Sequence, residues 1–154
     1  NSIYEQISAV YQEFGRYKLT LAQNVYLGDT TKEIDHKKVS HALEWAGIPH
    51  PQELLLGREF GGADLSGGQW QRLALARLML DSSEIIVLDE ATSALDNVTE
   101  SIVMENVLAQ AGDATVISIA HRLSSIRGFD DIYVFREGRI VGNGTFEELL
   151  ACNS

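Results

Sequence analysis

The sequence predicts an α/β fold: a mostly parallel sheet flanked by helices, with a helical stretch inserted after the first strand. Three observations predict it. Short apolar, β-prone runs at Ile85–Leu88 and Thr115–Ala120 are separated by segments of helical length, the pattern of parallel strands joined by helical crossovers. The opening residues end in the alternating ISAVYQ, so Ile3–Tyr11 reads as a strand that runs into a loop at Gln12. Between these strands, Gly15 to Gly62 is polar, helix-prone and punctuated by Gly28-Asp29, Gly47, Pro49, Pro51 and Gly57.

The elements follow in order. In the inserted stretch, short helices are predicted at Leu21–Tyr26, Lys37–Ala46 and Pro51–Leu55; the second carries Val39, Leu43 and Ala46 at helical spacing. Ser66–Leu80 reads as a helix. Asn97–Gln110 reads as another, with Val98, Ile102, Val103, Val107 and Leu108 on its inner side. Leu123–Arg127 is a short helix. Ile132–Phe135 and Arg139–Val141 form a hairpin around Glu137-Gly138, and Phe146–Ala151 closes the chain as a helix. Both faces of the sheet are expected to be covered.

Bulk properties narrow the function. The 154 residues fit one domain, and 45% hydrophobic with 22% charged content places the chain among globular proteins. A formal charge of −10 argues against a non-specific nucleic-acid binder, which needs a basic face. It also means that positive groups for any bound phosphate are local or come from outside this chain. Cys152 is the single cysteine, so no disulfide forms within the chain, as suits a reducing compartment. No apolar run reaches the roughly 20 residues that span a bilayer, and a glutamate stands where a signal peptide would be basic.

Two segments carry the chemistry: LSGGQWQRLALARLML, Leu65–Leu80, and EIIVLDEATSALD, Glu84–Asp96. Ser66-x-x-Gln69 is a capping box and explains itself as a helix start. Gly67 and Gly68 are not explained that way, because each costs about 1 kcal/mol against alanine inside a helix. They make sense where something approaches the backbone closely, and bare helix-N-terminal amides suit a phosphate. In the second segment an apolar strand delivers two adjacent carboxylates, Asp89 and Glu90, to its end. A phosphate cradle beside an acidic metal and water site is the equipment of nucleotide hydrolysis. His36, His41 and His50 lack metal-ligand spacing and read as surface residues, and Trp45 and Trp70 read as packing.

Both segments closely resemble the ATP-binding-cassette (ABC) family: LSGGQ is similar to its signature, IIVLDE to its Walker B strand, and Thr92-Ser93-Ala94-Leu95-Asp96 to its D-loop. The resemblance implies a partial P-loop NTPase fold. Residues 1–14 would be a strand and Q-loop, 15–64 a helical subdomain, and 65–154 the signature helix, Walker B, D-loop, switch histidine and C-terminal strands. It implies that Ser66, Gly67, Gly68 and Gln69 face the γ-phosphate of ATP held on the opposite subunit. Asp89 would hold Mg²⁺ and Glu90 would act on the attacking water. His121 resembles the switch histidine, and Gln12 the Q-loop glutamine that ligates Mg²⁺ and senses the water. Ser93 and Asp96 belong to the D-loop. Phe14 to Leu21 would receive a membrane domain, with Tyr17 and Leu19 as contacts or as ordinary subdomain core. Arg58 and Glu59 resemble an exporter X-loop, although GREFGGAD departs from the commoner form.

The pieces IAHRLSSI, REGRIVGNGTFEELL and EATSALD look like the exporter branch. The expected cofactors are ATP and Mg²⁺. The expected partners are a transmembrane domain, fused upstream or separate, and a second nucleotide-binding domain in a head-to-tail dimer, with no nucleic acid. The expected place is the cytoplasmic face of a membrane. There is no G-x-x-x-x-G-K-[ST] in the chain, so it is expected to be the later part of a longer protein and to be inactive alone. Three alternatives stand beside this reading. A chromosome-maintenance ABC ATPase would place a long coiled coil between Gln12 and the signature; a ribosome-associated one would carry two cassettes and basic linkers. A non-catalytic interaction module would only dock on partners.

Overall fold

The computed structural model describes residues 6–27, 33–58, 62–80 and 83–152. The start of the first expected strand, Gly28-Asp29 and Glu59 of the X-loop resemblance lie outside the described residues. The chain forms two compact units, 1–119 and 120–154, described separately.

In the first unit, β1 (Ile7–Val10), β2 (Ile85–Asp89) and β3 (Thr115–Ile119) form a parallel sheet in that order. The register sets Val10 against Leu88 and Asp89 against Ile119. Because side chains alternate, Ser8, Val10, Ile86 and Leu88 fall on one face and are buried. The opposite face carries Ile117 and Ile119, which are 51% and 52% exposed. The expectation that both faces are covered is thus corrected. On β3 the exposed face holds Thr115, Ile117 and Ile119, while Val116 and Ser118 lie on the face of Ile86 and Leu88.

Helix α1 (Leu21–Tyr26) starts at a Thr20 capping box closed by Gln23, and α2 (His36–Trp45) at Asp35, whose carboxylate accepts from Lys37 and Lys38 amides. Helix α3 (Gly67–Ala76) runs on as a 3₁₀ turn over Arg77–Leu80. Together they enclose a core that includes Leu21, Val25, Val39, Leu43, Trp70 and Leu73. Trp70 is packed there, as expected, and its Nε1 donates to Asp64 at 3.0 Å. Pro51–Leu55 does not form the expected helix. After one turn, Leu55 and Leu56 run extended and bridge to Thr20 and Ala63. The reason is tertiary: the Gln52 and Leu54 carbonyls accept from the Ala22 and Leu21 amides, first-turn donors of α1 that have no partner within their own helix.

Helix α4 (Asn97–Ala111) packs against β3 and buries Glu100, Val103, Met104 and Val107. Val98 and Ile102, expected inside, are 71% and 53% exposed. An acid therefore occupies the inner stripe at i, i+3, i+4, i+7, for a reason given below.

The second unit opens with a 3₁₀ turn over Leu123–Ser125, shorter than expected. β4 (Ile132–Arg136) and β5 (Arg139–Gly144) form the expected antiparallel hairpin. Its turn residues Glu137 and Gly138 both have positive φ, 49° and 74°, which suits the twist of a two-residue hairpin loop. Helix α5 (Phe146–Cys152) packs on β5, and the Arg127 guanidinium lies 5.1 Å over the Phe146 ring. Among the described residues, no helix is long and apolar enough to cross a membrane.

Candidate nucleotide site

The carboxyl edge of a parallel sheet is where α/β proteins place ligands. β2 reaches that edge with Asp89, and the chain then turns sharply. Glu90 sits at φ 49°, a left-handed conformation uncommon for a residue with a Cβ. Its amide donates to the Ile119 carbonyl at 3.1 Å, carrying the β2–β3 ladder one residue further, and its own carbonyl accepts from the Ser93 amide at 3.1 Å. Both acids are half-buried. Gln12 is exposed two residues beyond β1. Val10 pairs with Leu88, so Gln12 leaves the sheet at the same carboxyl edge.

The turn after Glu90 is braced from several sides. Thr92 donates from Oγ1 to Glu100 Oε1 at 2.7 Å, and Glu100 is only 3% exposed. This bond is why α4 turns an acid inward. Asp96 caps α4 by accepting from the Val98 and Thr99 amides at 3.2 and 3.0 Å and from Thr99 Oγ1 at 2.6 Å. The Thr99 hydroxyl, followed by backbone amides, holds the Asp96 carboxyl below its ordinary range. Ser93 is exposed on the same turn.

Helix α3 begins with the predicted capping box: Gln69 N donates to Ser66 Oγ at 3.2 Å and Ser66 N to Gln69 Oε1 at 2.9 Å. The two glycines then differ. A Cβ on Gly67 would meet nothing within 4 Å, whereas one on Gly68 would lie 3.3 Å from Leu95 Cδ2 and 3.7 Å from the Ala94 carbonyl oxygen. Gly67 therefore leaves open approach to the helix start, and Gly68 lets the Ser93–Asp96 turn pack against it. Two contributors were missed in the sequence: Glu100, and Gln71, which accepts from the Ala94 amide at 2.9 Å. The available signal was position, since each stands on a helix among buried apolar neighbours.

The far end of α3 reaches back to the loop after Gln12. The Arg77 guanidinium donates to the Gly15 carbonyl at 3.0 Å, the Asn24 carbonyl at 3.2 Å and Asn24 Oδ1 at 3.3 Å, and lies 5.2 Å over the Tyr17 ring. Asn24 is fully buried and its Nδ2 donates to the carbonyls of Tyr17, Leu19 and Thr20. Burial lowers the Arg77 pKa from its ordinary value, yet a guanidinium keeps its charge.

His121 follows β3 by two residues and is exposed; it belongs to the second unit. Among the described residues, no cluster of three or more His, Cys, Asp or Glu side chains forms a metal cage. Asp89 and Gln12, at the same carboxyl edge of the sheet, offer oxygen donors of the kind Mg²⁺ takes.

The sequence profile of the ABC transporter family matches residues 1–93. The ABC multidrug transporter MDR2 of Trichophyton equinum is 42% identical over 156 residues, covering 97% of this chain and 12% of its own length. The leptomycin B resistance protein pmd1 of Schizosaccharomyces pombe is 40% identical over 157 residues, covering 97% and 11%. The sophorolipid transporter of Starmerella bombicola is 39% identical over 162 residues, covering 99% and 12%. The chain thus spans about one-eighth of the length of these relatives. Among solved structures, a bacterial Atm1-family ABC exporter with ATP bound superposes with a TM-score of 0.80 at 32% identity, over 97% of this chain and 27% of that one.

Proposed function

Since this chain belongs to the ABC transporter family, we propose that it is the later part of an ATP-binding and hydrolysing domain that powers an exporter. The observation that carries this reading is the braced turn at the sheet's carboxyl edge. It holds Glu90 in a left-handed conformation directly after Asp89, and packs against the helix start that Gly67 leaves open. Such a conformation costs on the order of 1–3 kcal/mol and persists only when its surroundings impose it, as the bonded turn after Asp89 does here.

In this reading Ser66, Gly67, Gly68 and Gln69 offer backbone and side-chain donors to the terminal phosphate of an ATP carried by a second, head-to-tail domain. Glu90 accepts a proton from, or orients, the attacking water; a general base of this kind contributes roughly 10²–10⁴-fold. Asp89 and Gln12 would hold Mg²⁺, which when bound neutralises phosphate charge. His121 donates to the phosphate, and Ser93 and Asp96 shape the D-loop across the domain pair. The loop from Phe14 to Leu21, tied to α3 through Arg77, receives the membrane domain, which keeps the assembly at the cytoplasmic face. The multidrug and sophorolipid transporters among the relatives favour an exporter.

Substituting Glu90→Gln in the full-length protein is the decisive test. ATP turnover is expected to fall by about 10²-fold or more while nucleotide binding is retained. Unchanged turnover would remove the catalytic assignment and leave a docking module.

A further inference from the structure

We propose that Gln71 is a positioning residue for ATP turnover, acting on Glu90 through the turn that follows it; the proposal rests on the hydrolytic reading above. Gln71 is 0% exposed. A buried amide is tolerated only when its polar atoms are bonded, and both of its ends are directed at one short segment. Its Oε1 accepts from the Ala94 amide at 2.9 Å, and its Nε2 donates to Ser93 Oγ at 3.4 Å. Ser93 and Ala94 are themselves exposed. A side chain sealed inside the protein therefore grips a segment that lies on the surface.

The grip is one hydrogen bond from the catalytic glutamate. The Ser93 amide donates to the Glu90 carbonyl at 3.1 Å, and Glu90 holds its positive φ only while its neighbours hold it there. Gly68, three residues before Gln71 and so on the same side of α3, accepts Leu95 against its backbone. The two contacts dock the first half of α3 onto the turn. The docked turn then fixes the backbone of Glu90, which acts on water at its own domain's ATP, while the helix start of α3 serves the ATP of the partner domain. A displacement of about 1 Å at such a site costs on the order of 10²-fold in rate. Filling space alone does not explain Gln71, because an apolar side chain of equal length would fill it without a desolvation cost.

The test compares wild type, Gln71→Met and Gln71→Glu in the full-length protein, by steady-state ATP hydrolysis and by hydrogen exchange. Methionine keeps the length and loses both bonds; glutamate keeps the acceptor for Ala94. Gln71→Met is expected to lower kcat by about 10- to 100-fold with KM for ATP within about twofold, the pattern of a lost transition-state geometry. Exchange in Glu90–Asp96 should quicken while α3 stays protected, and Gln71→Glu should restore most of kcat. Gln71→Met with wild-type kcat overturns the proposal. So does a loss of kcat accompanied by faster exchange along all of α3 and no rescue, which marks a packing role only. If Gln71→Met does not fold, Gln71→Glu decides: kcat within about threefold of wild type supports the acceptor role, and a folded variant with kcat lost overturns it. Wild-type protein without Glu90-dependent turnover would instead bring down the hydrolytic reading, and this one with it.

Discussion

Gly67 and Gly68 are adjacent in the chain and differ in what surrounds them, so the same substitution should separate their roles. Gly67→Ala adds a methyl into open space and gains helix propensity, so the thermal midpoint should hold or rise slightly. ATP turnover in the full-length protein should nevertheless fall, because that space is where the phosphate approaches. Gly68→Ala places its Cβ 3.3 Å from Leu95 Cδ2 and should cost about 1 kcal/mol relative to Gly67→Ala, read from unfolding curves. Asp96 makes a pH prediction. Its carboxyl is held below the ordinary value of 3.8, chiefly by the Thr99 hydroxyl. Its contribution to stability is therefore fully present above that ordinary value and is lost as pH falls through the lowered one. Thermal midpoints of wild type and Asp96→Asn, followed from neutral pH into acid, should converge as the carboxylate protonates. The capping role of Ser66 was legible in the sequence because a cap and its partner lie within three residues, whereas that of Asp96 emerged only in the structure.

At the scale of elements, α4 shows how a correct helix can be assigned the wrong face. Its inner stripe is Glu100, Val103, Met104 and Val107, a regular helical spacing. Reading apolar residues as inside and acids as outside rotated that stripe toward Val98 and Ile102. What overrides hydropathy is the 2.7 Å bond from Thr92, a partner supplied by the turn before the helix. The Pro51–Leu55 segment fails for a related reason: its carbonyls serve another helix's first turn. Helix α3 is gripped at both ends, by Gln71 near its start and Arg77 at its close. Arg77→Ala would leave the Gly15 and Asn24 oxygens without their donor and should destabilise the fold by about 2–4 kcal/mol in chemical unfolding. Arg77→Lys should recover only part of that, since an ammonium lacks the planar fork that reaches both residues.

For the whole chain, the outer edge of β3 has no strand beside it among the described residues, and Ile117 and Ile119 are half-exposed on the sheet face beside it. An open apolar edge strand is a template for pairing with another chain. The formal charge of −10 opposes such association, and salt screens that repulsion. Light scattering on the isolated 154-residue chain should therefore show concentration-dependent association that strengthens as salt is added. A monodisperse monomer at every salt concentration would show that the edge is shielded in solution.

The sequence alone determined the three parallel strands, most of the helices, the Ser66 cap and the hairpin turn, since each is written in residues a few positions apart. Only the tertiary structure decided that Glu90 is held left-handed, that Gly68 makes room for Leu95, and that Gln71 reaches Ala94, 23 residues away. The physical reason is separation along the chain. Local hydrogen bonds and hydrophobic periodicity repeat with the geometry of one element, whereas a polar side chain buried between two elements has no partner until the chain folds and brings one to it.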